Sequence, residues 1–166
     1  MKNNERSRVT VMVGLPGSGK STHVERIKSE DVFVYSTDRY IEEVAAQNGL
    51  TYSDIFSVTI SDATKVMNAL LEDAISRDVS VIIDQTNMSS KKRKSILSKF
   101  PKTYLKKCIC IVPPISDEQE AELQRRINSR AGKFIPEFVM KNMKETYEEP
   151  TSAEGFDSVI ILTMES

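Results

Sequence analysis

The chain has 166 residues, enough for one domain with a sizeable core. Lys and Arg number 23 against 24 Asp and Glu, a formal charge of −1, and 39% of residues are hydrophobic. This balance excludes a wholly basic nucleic-acid coat and an acidic disordered tail, while leaving room for local charged surfaces.

Residues 1–8 are polar and are expected to be a flexible N-terminal segment ahead of one domain spanning 9–166. Val9–Gly14 is a short apolar run ending in glycine and reads as a buried strand, followed by a helix over Lys20–Lys28. Asp31–Tyr35 reads as a second strand and Arg39–Gln47 as a helix closed by Gly49. From Ala63 to Ile75, apolar residues at helical spacing predict a helix of more than three turns. A third strand is expected at Val79–Asp84, a basic helix at Ser89–Phe100 and a fourth strand at Tyr104–Val112, stopped by Pro113 and Pro114. Ser116–Arg130 reads as a helix capped by Ser116 with Gln119 three residues on, and Pro136 fits the first turn of another. A fifth strand is expected at Ser158–Thr163.

Apolar strands alternating with helices predict an α/β fold: a parallel sheet of about five strands with helices on both faces. Ligands of such sheets sit beyond the carboxyl ends of the strands. Cys108 and Cys110, two apart on one strand, are poorly placed for a disulfide, and a single histidine, His23, cannot complete a usual zinc site. With no signal-like N-terminus or membrane-length apolar run, a soluble protein of a reducing, cytoplasmic compartment is expected, without a membrane partner.

Gly14-Leu15-Pro16-Gly17-Ser18-Gly19-Lys20-Ser21 matches the phosphate-binding loop G-x-x-x-x-G-K-[ST], between an expected strand and an expected helix. Glycines let backbone N–H groups converge on phosphate oxygens, and the helix N-terminus adds its positive end. Gly14, Pro16, Gly17, Ser18, Gly19, Lys20, Ser21 and Thr22 are therefore the expected cradle for ATP or another nucleoside triphosphate. Lys20 would reach the β- and γ-phosphates, and the Ser21 hydroxyl would ligate Mg²⁺. The guanine-reading Asn-Lys-x-Asp of GTPases is absent. Val81–Asp84 runs into Gln85-Thr86-Asn87 with no second acid to activate water.

The order of GLPGSGKST, Ser36-Thr37-Asp38-Arg39 after the second strand, Asp84-Gln85-Thr86-Asn87 after the third, and an arginine-bearing helix resembles the P-loop polynucleotide 5′-hydroxyl kinase family, over nearly the whole of Val9–Pro150. The resemblance implies a nucleotide-kinase-like P-loop fold with an arginine-bearing lid around 116–135. It assigns Asp38 as general base toward the acceptor hydroxyl, a role that a carboxylate at a strand's carboxyl end suits chemically; capping of the following helix is its alternative. Arg126 and Arg130, four apart on one expected helix face, match the lid arginines near the nucleotide phosphates. Asp84, Thr86 and Asn87 match a segment near the acceptor and the metal shell, with Asp84 either meeting Mg²⁺ through water or orienting Lys20.

Among the basic residues Lys91–Lys94, Arg93 is the family's acceptor-side candidate, with a solvated helix face as the alternative. Tyr40 and Tyr52 could stack on a base or simply pack. One departure stands out: the family's acceptor-phosphate arginine, three residues after the aspartate, is replaced by Ile41, and Arg39 is the nearest substitute. The implied function is transfer of the ATP γ-phosphate to a hydroxyl, foremost the 5′-hydroxyl of DNA or RNA ends, which makes nucleic-acid 5′ ends the expected partner. A nucleoside or sugar kinase and a non-catalytic nucleotide-gated binding module are the alternatives. The Asp-x-Asp-Gly-Thr signature of a 3′-phosphatase is absent, so a stand-alone kinase is expected.

Overall fold

A computed structural model describes residues 5–164. Its five strands are β1 (Arg8–Val13), β2 (Val32–Tyr35), β3 (Ser80–Ile83), β4 (Leu105–Ile111) and β5 (Ser158–Leu162). They form one parallel sheet in the order β2-β3-β1-β4-β5, so the strand that feeds the phosphate loop is central. The helices are α1 (Lys20–Ile27), α2 (Thr37–Gln47), α3 (Tyr52–Ser76), α4 (Ser90–Leu97), α5 (Asp117–Asn128) and α6 (Glu137–Thr146).

Alternation along the strands divides the core between the two faces. Val9, Val11 and Val13 of β1 join Val81, Ile83, Cys108 and Cys110 beneath α3, α4 and α6 in the main core. Met12, Ile82 and Ile109 point to the other face and meet Val24 of α1. Both cysteines are buried and free, and burial pushes the Cys108 thiol up to about 12, which keeps it unreactive.

α3 begins at Tyr52 rather than Ala63 and runs for 25 residues. Its start is a capping box: the Thr51 side chain accepts from the Asp54 amide while Asp54 accepts from the Thr51 amide. The first turns escape the apolar pattern because Ile55 and Ala63 pack on Ile41 and Ala45 of α2, in a small cluster apart from the sheet. α5 stops at Asn128, two residues short of Arg130. Residues 1–4 of the expected flexible segment lie outside the described residues. Of the rest, Arg6 donates to the carbonyls of Lys102 and Thr103, Ser7 to that of Asp78, and Arg8 opens β1, so these three are tied to the sheet. No helix among the described residues is long and apolar enough to cross a membrane.

Candidate active site

The phosphate loop leaves β1 and wraps back into α1. A Cβ on Gly14 would stand 2.7 Å from Ser18 Oγ, and Gly17 and Gly19 hold φ of 81° and 106°, so these positions demand glycine. The Gly14 amide donates to the Thr86 carbonyl, which fastens the loop to the segment after β3. Lys20 Nζ donates to the carbonyls of Gly14 at 2.8 Å and Leu15 at 3.0 Å. Burial pulls the Lys20 pKa down to about 8, against the opposing pull of the Asp84 carboxylate.

Two adjoining cavities open beyond the strand ends. One, of about 780 Å³, is lined by Gly17, Gly19, Lys20, Ser21, Arg39 and Arg130. The other, of about 690 Å³, is walled by Phe56, Ile60, Phe134, Ile135, Val139 and Met143. Asp38, Tyr52, Asp84 and Lys133 line both, so they mark the junction between a polar phosphate cavity and an apolar chamber.

Asp38 reaches that junction because it does not cap its helix. Ser36 is the N-cap of α2, its hydroxyl accepting from the Arg39 amide at 3.2 Å, and Asp38 lies in the first turn. The Tyr52 hydroxyl donates to Asp38 Oδ1 at 2.8 Å, and Lys133 Nζ to Oδ2 at 3.2 Å. Lys133, 11% exposed, also pairs with Glu42 and lies 4.4 Å from the centre of the Tyr52 ring. Burial, followed by the hydrogen bond to Asp38, pushes the Tyr52 hydroxyl far up its range. The segment carrying Lys133 is docked on the start of α3: Ser53 N donates to the Gly132 carbonyl and Phe134 N to the Ser53 hydroxyl. Gly132 holds φ of 74°, and a Cβ there would meet Thr51 at 2.7 Å.

A family model described as an AAA domain matches residues 9–150, most of the chain. The chain belongs to this AAA domain family. The AAA domain is 26% identical over 169 residues to human heterogeneous nuclear ribonucleoprotein U-like protein 2, a match covering 95% of this chain and 22% of the relative. It is also 26% identical over 153 residues to the L-seryl-tRNA(Sec) kinase of Methanococcus maripaludis, covering 89% and 55% respectively. Against the bifunctional polynucleotide phosphatase/kinase of Schizosaccharomyces pombe it is 26% identical over 160 residues, covering 95% and 34%. The chain therefore spans between about a fifth and about half the length of these relatives. Among solved structures, the Pnkp1/Rnl/Hen1 RNA repair complex superposes with a TM-score of 0.61 at 20% identity, over 87% of this chain and 45% of that one. A sugar kinase from Janibacter superposes at 0.62 and 21%, over 96% and 87%. At these identities the structural likeness establishes the fold, a P-loop fold of the kinase type. Together the family match and the yeast relative uphold the resemblance to polynucleotide kinases.

The AAA domain brings most of the expected residues to the two cavities, with four corrections. Arg93 is not on the surface: it is 0% exposed, paired with Glu154 at 2.6 Å and donating to the carbonyls of Asn87, Met88 and Glu148. Its five donors clamp the segment after β3 to the chain before β5, a structural task that turns them away from any substrate. Asn87 is fully buried with φ of 47°, and its amide donates to the Met12 carbonyl at 2.7 Å. Arg126 braces the phosphate loop, donating to the Gly17 carbonyl at 3.3 Å and to Glu122 at 2.9 Å, and it does not line the cavity. Thr22 sits on the exposed side of α1 and lines neither cavity. Arg130 does line the phosphate cavity, from the turn after α5 rather than from a shared helix face.

Arg39 faces the same cavity, held between Glu25 at 3.2 Å and Asp84 at 3.6 Å, and does not reach the apolar chamber. Ile41 is 0% exposed in the α2–α3 cluster. Sequence reasoning missed Lys133 and the apolar wall. The signal available for Lys133 was its place at the end of the expected lid; the wall had none, because its residues come from distant segments.

The residues present suit a nucleoside triphosphate and Mg²⁺. Side-chain-free positions crowd the cradle, α1 presents its N-terminal amides, and the buried Ser18 hydroxyl has no partner. Ser21 and Asp84, both lining the phosphate cavity, offer the hard oxygen donors that Mg²⁺ prefers. Burial raises the Asp84 pKa despite nearby Lys20 and Arg39.

Proposed function

We propose that this domain is a phosphotransferase that moves the γ-phosphoryl group of ATP to a hydroxyl, foremost the 5′-hydroxyl of a DNA or RNA end. The observation that carries this reading is the position of Asp38 on the wall shared by the phosphate cavity and the apolar chamber. A hydroxyl held in the chamber donates its proton to Asp38 as its oxygen bonds the γ-phosphorus and the bond to ADP breaks. Tyr52 and Lys133 hold the carboxylate in place for that step. Lys20 and the loop amides hold the phosphates; Arg130 and Lys133 neutralise charge between donor and acceptor. Ser21 and Asp84 would hold Mg²⁺, which would supply further neutralisation of the phosphate oxygens. The segment 116–135 serves as the lid, and its docked end at Gly132–Phe134 completes the chamber. Arg39, on the phosphate side, serves the donor rather than the acceptor.

The apolar chamber favours a ring-bearing acceptor such as a nucleoside over a bare polyol. The buried Ile41 favours the second reading, a kinase of small hydroxyl compounds, and one of the similar folds is a sugar kinase. Labelled ATP and Mg²⁺ offered with 5′-hydroxyl DNA and RNA oligonucleotides, nucleosides and sugars decides between them, with Asp38→Asn as control. Label on oligonucleotides supports the lead reading, label confined to sugars overturns it, and ATP binding without transfer to any acceptor marks a binding module.

A further inference from the structure

The cations around the two cavities differ in how they are matched. Lys92, where a smaller cleft of about 300 Å³ adjoins the chamber, and Arg130, on the phosphate cavity, make no ion pair among the described residues. Lys133 is instead shared by two carboxylates of one helix: its Nζ lies 3.2 Å from Asp38 Oδ2 and 3.3 Å from Glu42 Oε1. Asp38 and Glu42 are four residues apart on α2, a spacing at which like charges repel and a cation between them relieves the repulsion.

The two halves of this bridge are unequal. Asp38 lines both cavities and is also held by the Tyr52 hydroxyl. Glu42 lines the phosphate cavity and not the chamber, and among the described residues its ion-pair partner is Lys133 alone. The Glu42 side chain is 51% exposed and free to turn into solvent, whereas that of Lys133 is 11% exposed. The backbone on either side of Lys133 is tied to the start of α3, through Gly132 and Phe134. Glu42 can therefore leave the bridge while Lys133 and Asp38 stay.

For in-line transfer the γ-phosphorus comes to about 3–3.5 Å from the acceptor oxygen that Asp38 holds. An ammonium in contact with the same carboxylate is then within reach of the γ-phosphoryl oxygens, and Glu42 occupies its side toward the phosphate cavity. The β-phosphate lies one bridging oxygen further back, toward Lys20. Lysine suits phosphate as a point charge, so exchanging one exposed carboxylate for a more highly charged phosphoryl group is favourable.

We propose that Glu42 is a stand-in for the γ-phosphoryl group: in the free domain it holds the contact of Lys133 that the triphosphate claims, and Lys133 trades Glu42 for γ-phosphoryl oxygens while keeping Asp38. The inference rests on the kinase reading above and adds to it a positioning residue that makes the site answer to the third phosphate. Glu42 keeps the wall of Lys133 and Asp38 assembled before the donor arrives, at some loss of donor affinity. A diphosphate leaves the bridge closed.

The test is calorimetry with the Mg²⁺ complexes of ADP and of the non-hydrolysable β,γ-imido analogue of ATP, on wild type, Glu42→Gln, Lys133→Met and the double variant. Glu42→Gln keeps the size of a half-exposed side chain, so the fold is spared. It is expected to tighten the triphosphate analogue by about fivefold or more, the lower end of coupling between sites, and to leave ADP unchanged. Lys133→Met should weaken the analogue and spare ADP, and in that background Glu42→Gln should add nothing. Equal tightening of both nucleotides by Glu42→Gln marks plain relief of negative charge and overturns the proposal. So does no tightening, a tightening that persists without Lys133, or an equal effect of Lys133→Met on both nucleotides. The expected binding pattern with no acceptor labelled in the transfer assay above overturns the kinase reading alone, and the exchange then stands as γ-phosphate sensing by a binding module. A wild type that binds neither nucleotide overturns both.

Discussion

The phosphate cradle draws its residues from one stretch, Gly14–Ser21, while the apolar chamber gathers Tyr52 and Phe56 from α3, Thr86 from the segment after β3, and Phe134, Val139 and Met143 from the chain around α6. The cradle is backbone, shaped by glycines at which any side chain would meet strain or a close contact. The chamber is side chain, and its shape depends on how separate elements dock. Donor binding should therefore respond to local backbone changes and acceptor binding to long-range ones, with Asp38 the point where the two meet.

The largest effect is expected at that meeting point. Asp38→Asn should lower kcat by about 10²–10⁴-fold, the usual contribution of a general base, while calorimetry finds ATP affinity little changed. A matching loss of ATP affinity would break the division into halves. Next comes the clamp behind the acceptor side: Arg93→Met leaves Glu154 buried without its partner and should cost about 3–5 kcal/mol in urea unfolding. A small cost there would mean that the segment after β3 does not need its arginine. On the donor side, Gly17→Ala forces a side chain into φ of 81°, facing Ile127 and Leu123 at 3.2 and 3.3 Å, with strain of about 1–3 kcal/mol. Nucleotide affinity should fall with it, and the KM of the acceptor should not move.

Phe134→Ala tests the opposite half. Its ring is 76% exposed on the chamber wall, and loss of a stacking surface should raise the acceptor KM by about 1 kcal/mol equivalent, roughly fivefold, with ATP binding intact. The smallest effect near neutrality is the pH dependence of donor binding. With Lys20 at about 8 in the free protein, its ammonium is the dominant form below that pH. A bound phosphate favours the charged form, so affinity is greatest below pH 8 and declines as pH rises through it. Titrations at pH 7 and 9.5 with equal affinity would show that Lys20 carries no weight in binding.

Strand order along the chain, the all-parallel sheet and the cradle were legible because each rests on local signals: apolar runs, a glycine pattern, caps such as Ser116. The start of α3 was not, since its apolar residues answer to α2 rather than to the sheet. Arg93 shows the limit most clearly. In sequence it is one of four adjacent basic residues, and only the chain returning at Glu148–Glu154 makes it the buried member. Likewise Arg126 and Arg130 share a spacing that suggests a common face, but α5 ends between them, and one braces the loop while the other faces the cavity.

The sequence by itself determined the fold class and where phosphate would bind, because a P-loop is a backbone conformation written in consecutive residues. Only the tertiary structure decided the rest of the candidate site: the pairing of Lys133 with Asp38, the apolar chamber, and the smaller cleft beside it. The Lys133–Asp38 pair alone joins residues 95 positions apart. Which of many lysines and phenylalanines will meet is set by the packing of whole elements against the sheet, and no local pattern records it.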